Sequence, residues 1–306
     1  MKKLFITALL LLLLSAQALF AADYTLMIRG KISTQFPQNP KKVVVMDYSS
    51  LDTMQELGLS SVVAAVPKGN MPDYLSAFND KKYADVGGVM DFDIEKIYRL
   101  APDLIIISNR QVRMQEKLSK IAPTVNINID STRYVDSFKA NTLLLGRIWN
   151  REAQAKQLVG KFDAEADRLR ADIAKEQGRG LITMFNAGKF SAYGSGSRFG
   201  IIHDVFGVKQ ADGHIQISTH GKSVNSEYIA KLNPDYLFII NRDSVVGGKT
   251  ASKSDIENRL IRTTNAFKSK RIAYLPADYW YLANGGAKSM MLMLKDIRSV
   301  VGKVSA

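Results

Sequence analysis

The sequence predicts an α/β protein of two Rossmann-like lobes, joined by one long inter-lobe helix, with a ligand cleft between the lobes. Three observations lead to this fold class. Short apolar runs alternate with segments of helical spacing in both halves of the chain. A long amphipathic segment separates the two halves. One stretch of the first half recurs, without a gap, in the second half.

Residues 1–21 are predicted to be a cleaved secretory signal peptide. Lys2 and Lys3 precede an apolar run over residues 4–14, and small residues follow it. The run is short for a membrane span, so the alternative of a membrane anchor is less favoured. The chain contains no Cys, which leaves no residue for a lipid anchor, a disulfide or a thiolate metal site. We therefore expect a periplasmic protein without a lipid anchor.

The chain is basic. It has 42 Lys and Arg residues against 29 Asp and Glu residues, and removal of Lys2 and Lys3 leaves 40 against 29, a net charge of +11. An exported protein does not ordinarily meet nucleic acid, so the charge favours an anionic small molecule or surface as the partner. Basicity unconnected with function is the alternative.

The first lobe is predicted to span residues 22–147. A polar, hairpin-like region at 24–39 comes first, and apolar runs then indicate buried parallel strands separated by helices. The predicted strands are VVVMD (43–47), SVVAAV (61–66) and LIIIS (104–108), and the predicted helices cover residues 50–57 and 93–100.

The long inter-lobe helix is predicted over residues 148–176. Apolar residues recur at steps of three, four and seven from Ile148 to Ile173, which places them on one stripe, while the other faces are mostly charged. At 1.5 Å per residue this segment spans roughly 39 Å, long enough to reach from one lobe to the other. Gly178 and Gly180 favour an end to the helix there.

The second lobe is predicted to span residues 177–306, where the alternating pattern starts again. Three apolar runs predict strands and two segments with helical spacing predict helices. The strands are LITMF (181–185), YLFII (236–240) and RIAYLP (271–276), and the helices cover residues 226–232 and 289–301.

The repeat relates residues 93–110 to residues 225–242. A shift of 132 positions places DIEKIYRLAPDLIIISNR over NSEYIAKLNPDYLFIINR, with eight identities in eighteen. In each copy a helix leads through a Pro turn into a buried strand that ends in Asn-Arg. Ligands of open α/β sheets bind outside the carboxyl ends of strands, so Arg110 and Arg242 are predicted to converge on one cleft. Surface positions or local salt bridges are the alternative.

Two further stretches add candidates from the second lobe. YGSGSRFG (193–200) places Arg198 in a loop of small residues that allows close approach to a ligand. STHGKSVNSEY (218–228) places His220 beside a glycine. A zinc site of His203, His214 and His220 is disfavoured because the three lack the short spacings of zinc ligands, and His203 is expected to be structural.

The segment DYWYLANGG (278–286) supplies a candidate iron ligand. Alternation along an extended chain would place Tyr279 and Tyr281 on one side and Trp280 on the other. Fe(III), a hard cation, stabilises a phenolate oxygen, so Tyr281 and His220 could supply one oxygen and one nitrogen to a ferric centre. A plain hydrophobic edge is the alternative.

These stretches carry a family resemblance over essentially the whole mature chain. Through THGKSVNSEY, NPDYLFIINRD and DYWYLANGG the sequence resembles the periplasmic substrate-binding proteins of iron-siderophore ABC importers, in the long-helix-linked class. It is most similar to the branch that binds ferric catecholate siderophores. The resemblance implies that three arginines, a histidine and a tyrosine line the cleft, which here are Arg110, Arg198, Arg242, His220 and Tyr281. The choices of Arg110 over Arg113 and of Tyr281 over Tyr279 stay open.

The resemblance also implies the cargo and the partners. Fe(III) would arrive as part of the ferric catecholate siderophore, with no permanently bound cofactor, and the protein would act as a monomer. Glu95 and Glu227, which the repeat relates, would dock the two lobes onto the ABC transporter permease. Two exposed helix glutamates without such a role are the alternative.

Two other functions compete with this one. A haem-binding protein of the same fold could use Tyr281 or His220 as an axial ligand, although haem favours an apolar pocket over three arginines. An extracytoplasmic siderophore-ester hydrolase is the enzymatic alternative. The sequence has no G-x-S-x-G or H-E-x-x-H motif and no phosphate-binding loop, so an enzyme is not expected.

Overall fold

A computed structural model describes residues 24–246 and 251–301. Within this part of the chain, the protein forms two β-sheets, each flanked by helices. The predicted signal peptide lies outside the described residues. No helix among the described residues is long and apolar enough to cross a lipid bilayer.

The first sheet has seven strands in the order β2-β1-β7-β6-β3-β4-β5. Strands β3 to β7 pair in parallel, and β1 joins the sheet antiparallel to β7. Every residue of β3, β6 and β7 is buried, because helices cover both faces of a parallel sheet. The strands are β1 (Tyr24–Ile28), β2 (Lys31–Ser33), β3 (Val43–Val45), β4 (Val63–Val66), β5 (Ala84–Asp85), β6 (Leu104–Ile107) and β7 (Thr124–Ile127).

The second sheet has six strands, five of them in the order β11-β9-β8-β12-β13, with β10 paired to β8. Strands β8, β12 and β13 are parallel, while β9 and β11 extend the sheet in antiparallel pairs. The strands are β8 (Arg179–Asn186), β9 (Lys189–Tyr193), β10 (Lys209–Gln210), β11 (Lys222–Val224), β12 (Tyr236–Asn241) and β13 (Ile272–Leu275).

Eleven α-helices lie within the described residues, together with several short 3-10 turns and one π-helical turn at Asp278–Leu282. The helices are α1 (Tyr48–Glu56), α2 (Ile94–Leu100), α3 (Gln115–Ser119), α4 (Tyr134–Ile148), α5 (Glu152–Ile173), α6 (Ile201–Asp204), α7 (Ser226–Leu232), α8 (Asp243–Val246), α9 (Lys253–Ile256), α10 (Asn265–Lys268) and α11 (Ala287–Val301).

The long helix begins four residues later than predicted. Ile148 ends α4, and α5 starts at Glu152 after a break in which Asn150 has a φ of 54°. A residue in the left-handed conformation cannot continue an α-helix. The apolar residues that were predicted to lie on one helix are therefore divided between α4 and α5. The helices pack closely here, because a Cβ on Gly146 would lie 2.6 Å from the Cβ of Ala155. Helix α5 still connects the part of the chain that forms the first sheet to the part that forms the second.

The C-terminal helix crosses back to the first lobe. Helix α11, which the sequence places with the second lobe, packs against α1 and α5. Its first turn is capped by the buried Asp52 of α1, whose carboxylate accepts hydrogen bonds from the backbone N–H groups of Lys288 and Ser289, both over 2.8 Å. A cap from a distant helix satisfies N–H groups that the helix itself leaves free.

The repeat found in the sequence is also a repeat of structure. Helices α2 and α7 have the same length and begin and end at positions 132 residues apart. Their side-chain N-caps are Asp93 and Asn225, and each helix ends at a left-handed residue, Ala101 or Asn233. The strand that follows each helix, β6 or β12, again starts 132 residues apart.

The shared Pro-Asp pair explains how the strand after each helix begins. Asp103 accepts hydrogen bonds from the backbone N–H groups of Lys41 and Lys42, at the entrance to β3. Asp235 accepts one from the N–H of Arg179, at the start of β8. Each aspartate thereby fixes the register of its strand against the neighbouring parallel strand.

Candidate functional site

A cavity of about 630 Å³ opens between residues of the two lobes. Its wall follows the carboxyl ends of β3, β6 and β7 in the first lobe, and includes loops of the second. This is where open α/β sheets bind their ligands. The polar side chains of the wall include Asp47, Arg110, Arg113, Asn128, Tyr134 and Asn141 from the first lobe and Arg198, Thr219, His220 and Asn284 from the second.

Three of the predicted arginines surround one tyrosine ring. The guanidinium carbons of Arg198, Arg110 and Arg242 lie 4.1, 5.2 and 5.5 Å from the ring centroid of Tyr281. These distances are in the range of cation–π contacts. The structure therefore brings together four of the five predicted ligand-binding residues, and it draws them from both lobes.

Hydrogen bonds fix each guanidinium against Tyr281. Arg110 and Arg198 both donate from Nη2 to its carbonyl oxygen, over 2.7 and 3.0 Å. Arg242 donates from Nε to the phenol oxygen over 2.9 Å, and from Nη1 to Asn186 Oδ1 over 2.5 Å. Because Arg110 comes from the first lobe, its bond to Tyr281 also links the two lobes.

The arginines change the acidity of the phenol. Burial alone would raise the pKa of Tyr281, but the hydrogen bond from Arg242 and the charges of the three arginines outweigh burial and lower that pKa below its usual value. Burial in turn lowers the pKa of Arg198, although a guanidinium stays charged in spite of such a shift. The cluster therefore favours negative charge at its centre.

The π-helical turn at Asp278–Leu282 decides which tyrosine faces the arginines. Tyr279 Oη and Trp280 Nε1 both donate to Asp296 Oδ2 on α11, over 2.8 Å each. The predicted alternation was therefore wrong, because the segment is helical and sends Tyr279 and Trp280 to the same carboxylate. Tyr281 is left to contact the arginines, as the sequence assignment preferred.

The loop that carries Arg198 is held by its own polar residues. Asp204 accepts hydrogen bonds from Ser195 Oγ and, over 2.7 Å, from the backbone N–H of Gly196. The buried Ser197 accepts one from the N–H of Ser218, which joins this loop to the one that carries His220. Arg198 and His220 thus reach the cavity from two loops that are fastened together.

His220 lies exposed on the cavity wall, and its backbone is fixed from below. Tyr193 Oη donates to the carbonyl oxygen of His220 over 3.0 Å. Gly221 follows with a φ of 75°, and a Cβ there would lie 2.8 Å from the ring of Tyr193. A glycine is therefore required beside His220 for both conformational and steric reasons.

Arg110 and Arg113, between which the sequence left the choice open, both lie at the cavity but differ in burial. Both residues line the cavity. Arg110 is half-buried and bonded to Tyr281, whereas Arg113 is exposed on the 3-10 turn at Asn109–Met114. The sequence treated them as alternatives, and the structure places both at the cavity.

The proposed iron ligands stand at different depths. His220 belongs to the cavity wall, while Tyr281 is buried and neither it nor Arg242 is part of the wall that the described residues form. Among the described residues there is no cluster of three or more His, Cys, Asp or Glu side chains that could hold a metal ion. His203 lies in α6, with Nδ1 2.8 Å from the carbonyl oxygen of Val208.

Glu95 and Glu227 occupy equivalent places in the two lobes. Each is exposed in the first turn of its helix, α2 or α7. Glu95 also lies 3.7 Å from Arg99, one turn along the same helix.

Comparison with known proteins assigns the family. The family model for periplasmic binding proteins matches residues 43–279, which include both sheets' parallel strands and the segment that carries Tyr279. The chain belongs to the periplasmic binding protein family. This confirms the two-lobed α/β class and the family resemblance inferred from the sequence.

Several members of the family are similar over nearly their whole length. The petrobactin-binding protein YclQ of Bacillus subtilis is 45% identical over 273 residues, which cover 89% of this chain and 86% of YclQ. Its crystal structure has a TM-score of 0.86 and covers 88% of this chain and 94% of that one. The ferric-anguibactin-binding protein FatB of Vibrio anguillarum is 34% identical, covering 86% of this chain and 83% of FatB.

A third similar structure is that of the periplasmic catecholate-siderophore binding protein VctP of Vibrio cholerae. It is 30% identical, has a TM-score of 0.81, and covers 86% of this chain and 95% of that one. The family and these relatives are binding proteins rather than enzymes.

In this periplasmic binding protein, two polar residues of the first-lobe wall, Asp47 and Asn128, were not predicted from the sequence. Asp47 follows β3 and Asn128 follows β7, so both stand at carboxyl ends of parallel strands, as Arg110 does. Burial raises the pKa of Asp47, even though its carboxylate accepts hydrogen bonds from the N–H and Oγ of Ser50. Position at a strand's carboxyl end was the signal that could have identified both residues.

Proposed function

We propose that this protein captures a ferric catecholate siderophore in the cavity between its lobes and delivers it to an ABC permease of the inner membrane. One observation carries the proposal: the arginines at the cavity and around Tyr281 form no salt bridge with a carboxylate in the part of the chain that the structure describes. Among the salt bridges of the described residues, none involves Arg110, Arg113, Arg198 or Arg242. The positive charge is therefore available to a ligand.

A ferric catecholate fits this charge. A tris-catecholate complex carries roughly three negative charges, and its oxygens accept hydrogen bonds from arginine forks. Arg110 and Arg198 already donate to a carbonyl oxygen, that of Tyr281, so they are oriented for oxygen acceptors. Haem is a weaker candidate, since an apolar pocket suits it better.

His220 and Tyr281 are proposed as direct iron ligands when the siderophore leaves coordination positions open. The lowered pKa of the Tyr281 phenol supports this role, because the phenolate is the form that binds Fe(III). To bind iron, the phenol oxygen of Tyr281 would have to give up the hydrogen bond that it accepts from Arg242. Iron is thus part of the cargo, and no permanently bound cofactor is proposed.

The relatives support the class of ligand. YclQ is named for petrobactin and FatB for ferric anguibactin, and VctP is described as a catecholate-siderophore binding protein. We also propose the remaining features expected from the sequence: export to the periplasm by a cleaved signal peptide, a monomeric state, and docking of the permease through Glu95 and Glu227.

Fluorescence quenching tests the proposal. Trp280 is buried beside Tyr281 in the same helical turn, so a coloured ferric complex in the cavity should quench it. Titration with ferric tris-catecholate should give saturable quenching, and haemin should give none at the same concentration. Mass spectrometry after prolonged incubation should recover a catecholate ester siderophore intact. Preference for haemin, or hydrolysis of the ester, would overturn the proposal.

A further inference from the structure

The cationic cavity has an apolar rim. Met90 and Val112 belong to the cavity wall and yet are 68% and 44% exposed, so they lie where the cavity opens to solvent. Ile217 is 66% exposed and stands two residues before Thr219, which also lines the cavity. Large apolar side chains are usually exposed singly, so two on the wall of this cavity and a third two residues from its wall indicate a contact surface.

The first-lobe part of this rim is held in place by a buried side chain. Gln111, only 1% exposed, donates from Nε2 to the carbonyl oxygen of Val89 over 2.6 Å and accepts from the N–H of Ser108 over 2.9 Å. It thereby fastens the residue before Met90 to the turn that carries Val112. Gly87, with a φ of 97°, pairs with Phe92 and closes the loop at whose tip Met90 lies.

The second-lobe part is fixed in a comparable way. The side chain of Ile217 packs over Gly196, where an added Cβ would lie 3.0 Å from Ile217 Cδ1. The next residue, Ser218, donates from its backbone N–H to Ser197 Oγ, adjacent to Arg198. Ser131 of the first lobe donates to the carbonyl oxygen of Gly196 over 2.9 Å, so the two lobes meet at this point.

We propose that Met90, Val112 and Ile217 contact the organic scaffold of the bound chelate and select siderophores whose catechols are joined by a hydrocarbon spacer. The inference rests on the proposed function. The anionic ferric centre is drawn to the arginines, which leaves the linking scaffold toward the opening. Methylene groups there would cover the three side chains, and removal of apolar surface from water stabilises the complex.

A matched pair of ligands separates the contribution of the scaffold from that of the metal centre. One is the ferric complex of three free N-methylcatecholamide molecules, and the other is the ferric complex of three catecholamide groups joined by long methylene chains. The variants are Met90→Ser, Val112→Ser, Ile217→Ser and the triple substitution. Ile32→Ser is the control, because Ile32 is 76% exposed on β2, far along the sheet from β6.

We expect the triple variant to bind the linked chelate at least about tenfold more weakly. Each lost contact removes a fraction of the free energy that full burial of an apolar side chain would contribute. Its affinity for the unlinked complex should stay within about twofold of the wild type. The control variant should match the wild type with both ligands. Equal losses for both ligands, or no loss for either, would overturn the inference while leaving ferric catecholate binding intact. Failure of the wild type to bind either complex would instead refute the proposed function.

Discussion

Arg242 donates a hydrogen bond from Nε to the phenol oxygen of Tyr281 over 2.9 Å, beneath the cavity rather than on its wall. The carbonyl oxygen of the same tyrosine accepts hydrogen bonds from Arg110 and Arg198. Tyr281 therefore holds three like charges close together without a carboxylate. An acidic partner would neutralise the charge that an anionic ligand needs, whereas a ring and two oxygen acceptors orient the guanidinium groups and leave their charge in place.

Replacement of Tyr281 by Phe tests this arrangement through acidity. Three arginines outweigh burial and hold the Tyr281 pKa below its ordinary value of about 10. Ultraviolet difference spectra should therefore show one phenol that ionises early in the wild type and is missing in the Phe variant. Arg242→Gln should raise the pKa of that phenol.

The lowered pKa of Tyr281 also predicts how the stability of the protein changes with pH. The folded protein favours the phenolate, so the wild type should gain unfolding free energy relative to Tyr281→Phe as the pH rises from the lowered pKa toward 10. Tyr279→Phe is the control, because the Tyr279 hydroxyl is bonded to Asp296 and should not account for the early transition. An early transition that persists in Tyr281→Phe would contradict the assignment.

Substitution of Glu95 and Glu227 should separate transport from binding. Both are exposed and lie outside the cavity, so Glu95→Ala and Glu227→Ala should leave the affinity for a ferric catecholate unchanged. Uptake of radioactive iron by cells that carry the variant as their sole copy should fall severalfold for each single variant, and further for the double variant.

The chain offers a close control for this experiment. Glu116 is exposed in the first turn of α3 and lies 3.5 Å from Lys120, much as Glu95 lies near Arg99. Glu116→Ala should transport iron normally. Equal uptake by the wild type and the double variant would remove the docking role from both glutamates.

Much of the fold was predictable because it depends on local signals. The 132-residue repeat predicted α2 and α7 to within one residue, since Asp93 and Asn225 are both N-caps and the Pro-Asp pair starts each following strand. The convergence of Arg110 and Arg242 followed from the position of each after a parallel strand. The strands themselves were recognisable as apolar runs, because helices cover both faces of the sheets.

The features that were missed depend on distant contacts. Ile148 has an apolar side chain in register with α5, but the left-handed Asn150 divides the helix, and the residues directly on either side of it, Trp149 and Arg151, are neither Gly nor Pro. The helical turn at 278–282 is specified by Asp296, a residue of the following helix. The return of α11 to the first lobe depends on Asp52, more than 200 residues away in the chain.

Asp52 should make the stability of the protein pH-dependent. Burial raises its pKa to about 6, although the backbone of α11 and Tyr74 donate hydrogen bonds to it. Protonated Asp52 therefore stabilises the folded protein. This stabilisation is fully present below the pKa of Asp52 in the unfolded chain, near 4, and is lost as the pH rises through about 6. Compared with Asp52→Asn, the wild type should lose on the order of 2–3 kcal/mol between pH 4 and pH 7.

Chemical denaturation at a series of pH values measures this difference. Asp91→Asn, at an exposed position in a loop, is the control and should change little over the same range. Asp52→Ala should be strongly destabilising at every pH, by about 3 kcal/mol, because it leaves buried N–H groups without an acceptor. A pH-independent difference between the wild type and Asp52→Asn would show that Asp52 does not titrate in this range.

Arg110 and Arg113 should contribute differently to ligand binding. Arg110 is half-buried and hydrogen-bonded, so its charge is poorly screened, and Arg110→Gln should weaken binding of ferric tris-catecholate by about a hundredfold at any salt concentration. Arg113 is exposed, and Arg113→Gln should cost less than about tenfold, an effect that fades at high salt. Titrations at low and high ionic strength check both. The reverse ranking would make Arg113 the principal contact.

Gly221 should be essential for the placement of His220. It has a φ of 75°, and a Cβ would lie 2.8 Å from the Tyr193 ring and 2.9 Å from the carbonyl oxygen of Ala192, so Gly221→Ala must shift the loop. We expect ligand affinity to fall about tenfold or more, with a smaller effect on stability. Gly188→Ala is the control. Its φ of 77° gives the same backbone strain, but an added Cβ meets nothing within 4 Å, so the difference between the two variants measures the steric clash at Gly221. Gly188→Ala should lose about 1 kcal/mol of stability and no affinity. Equal affinities for the two variants would mean that His220 does not contribute to binding from this position.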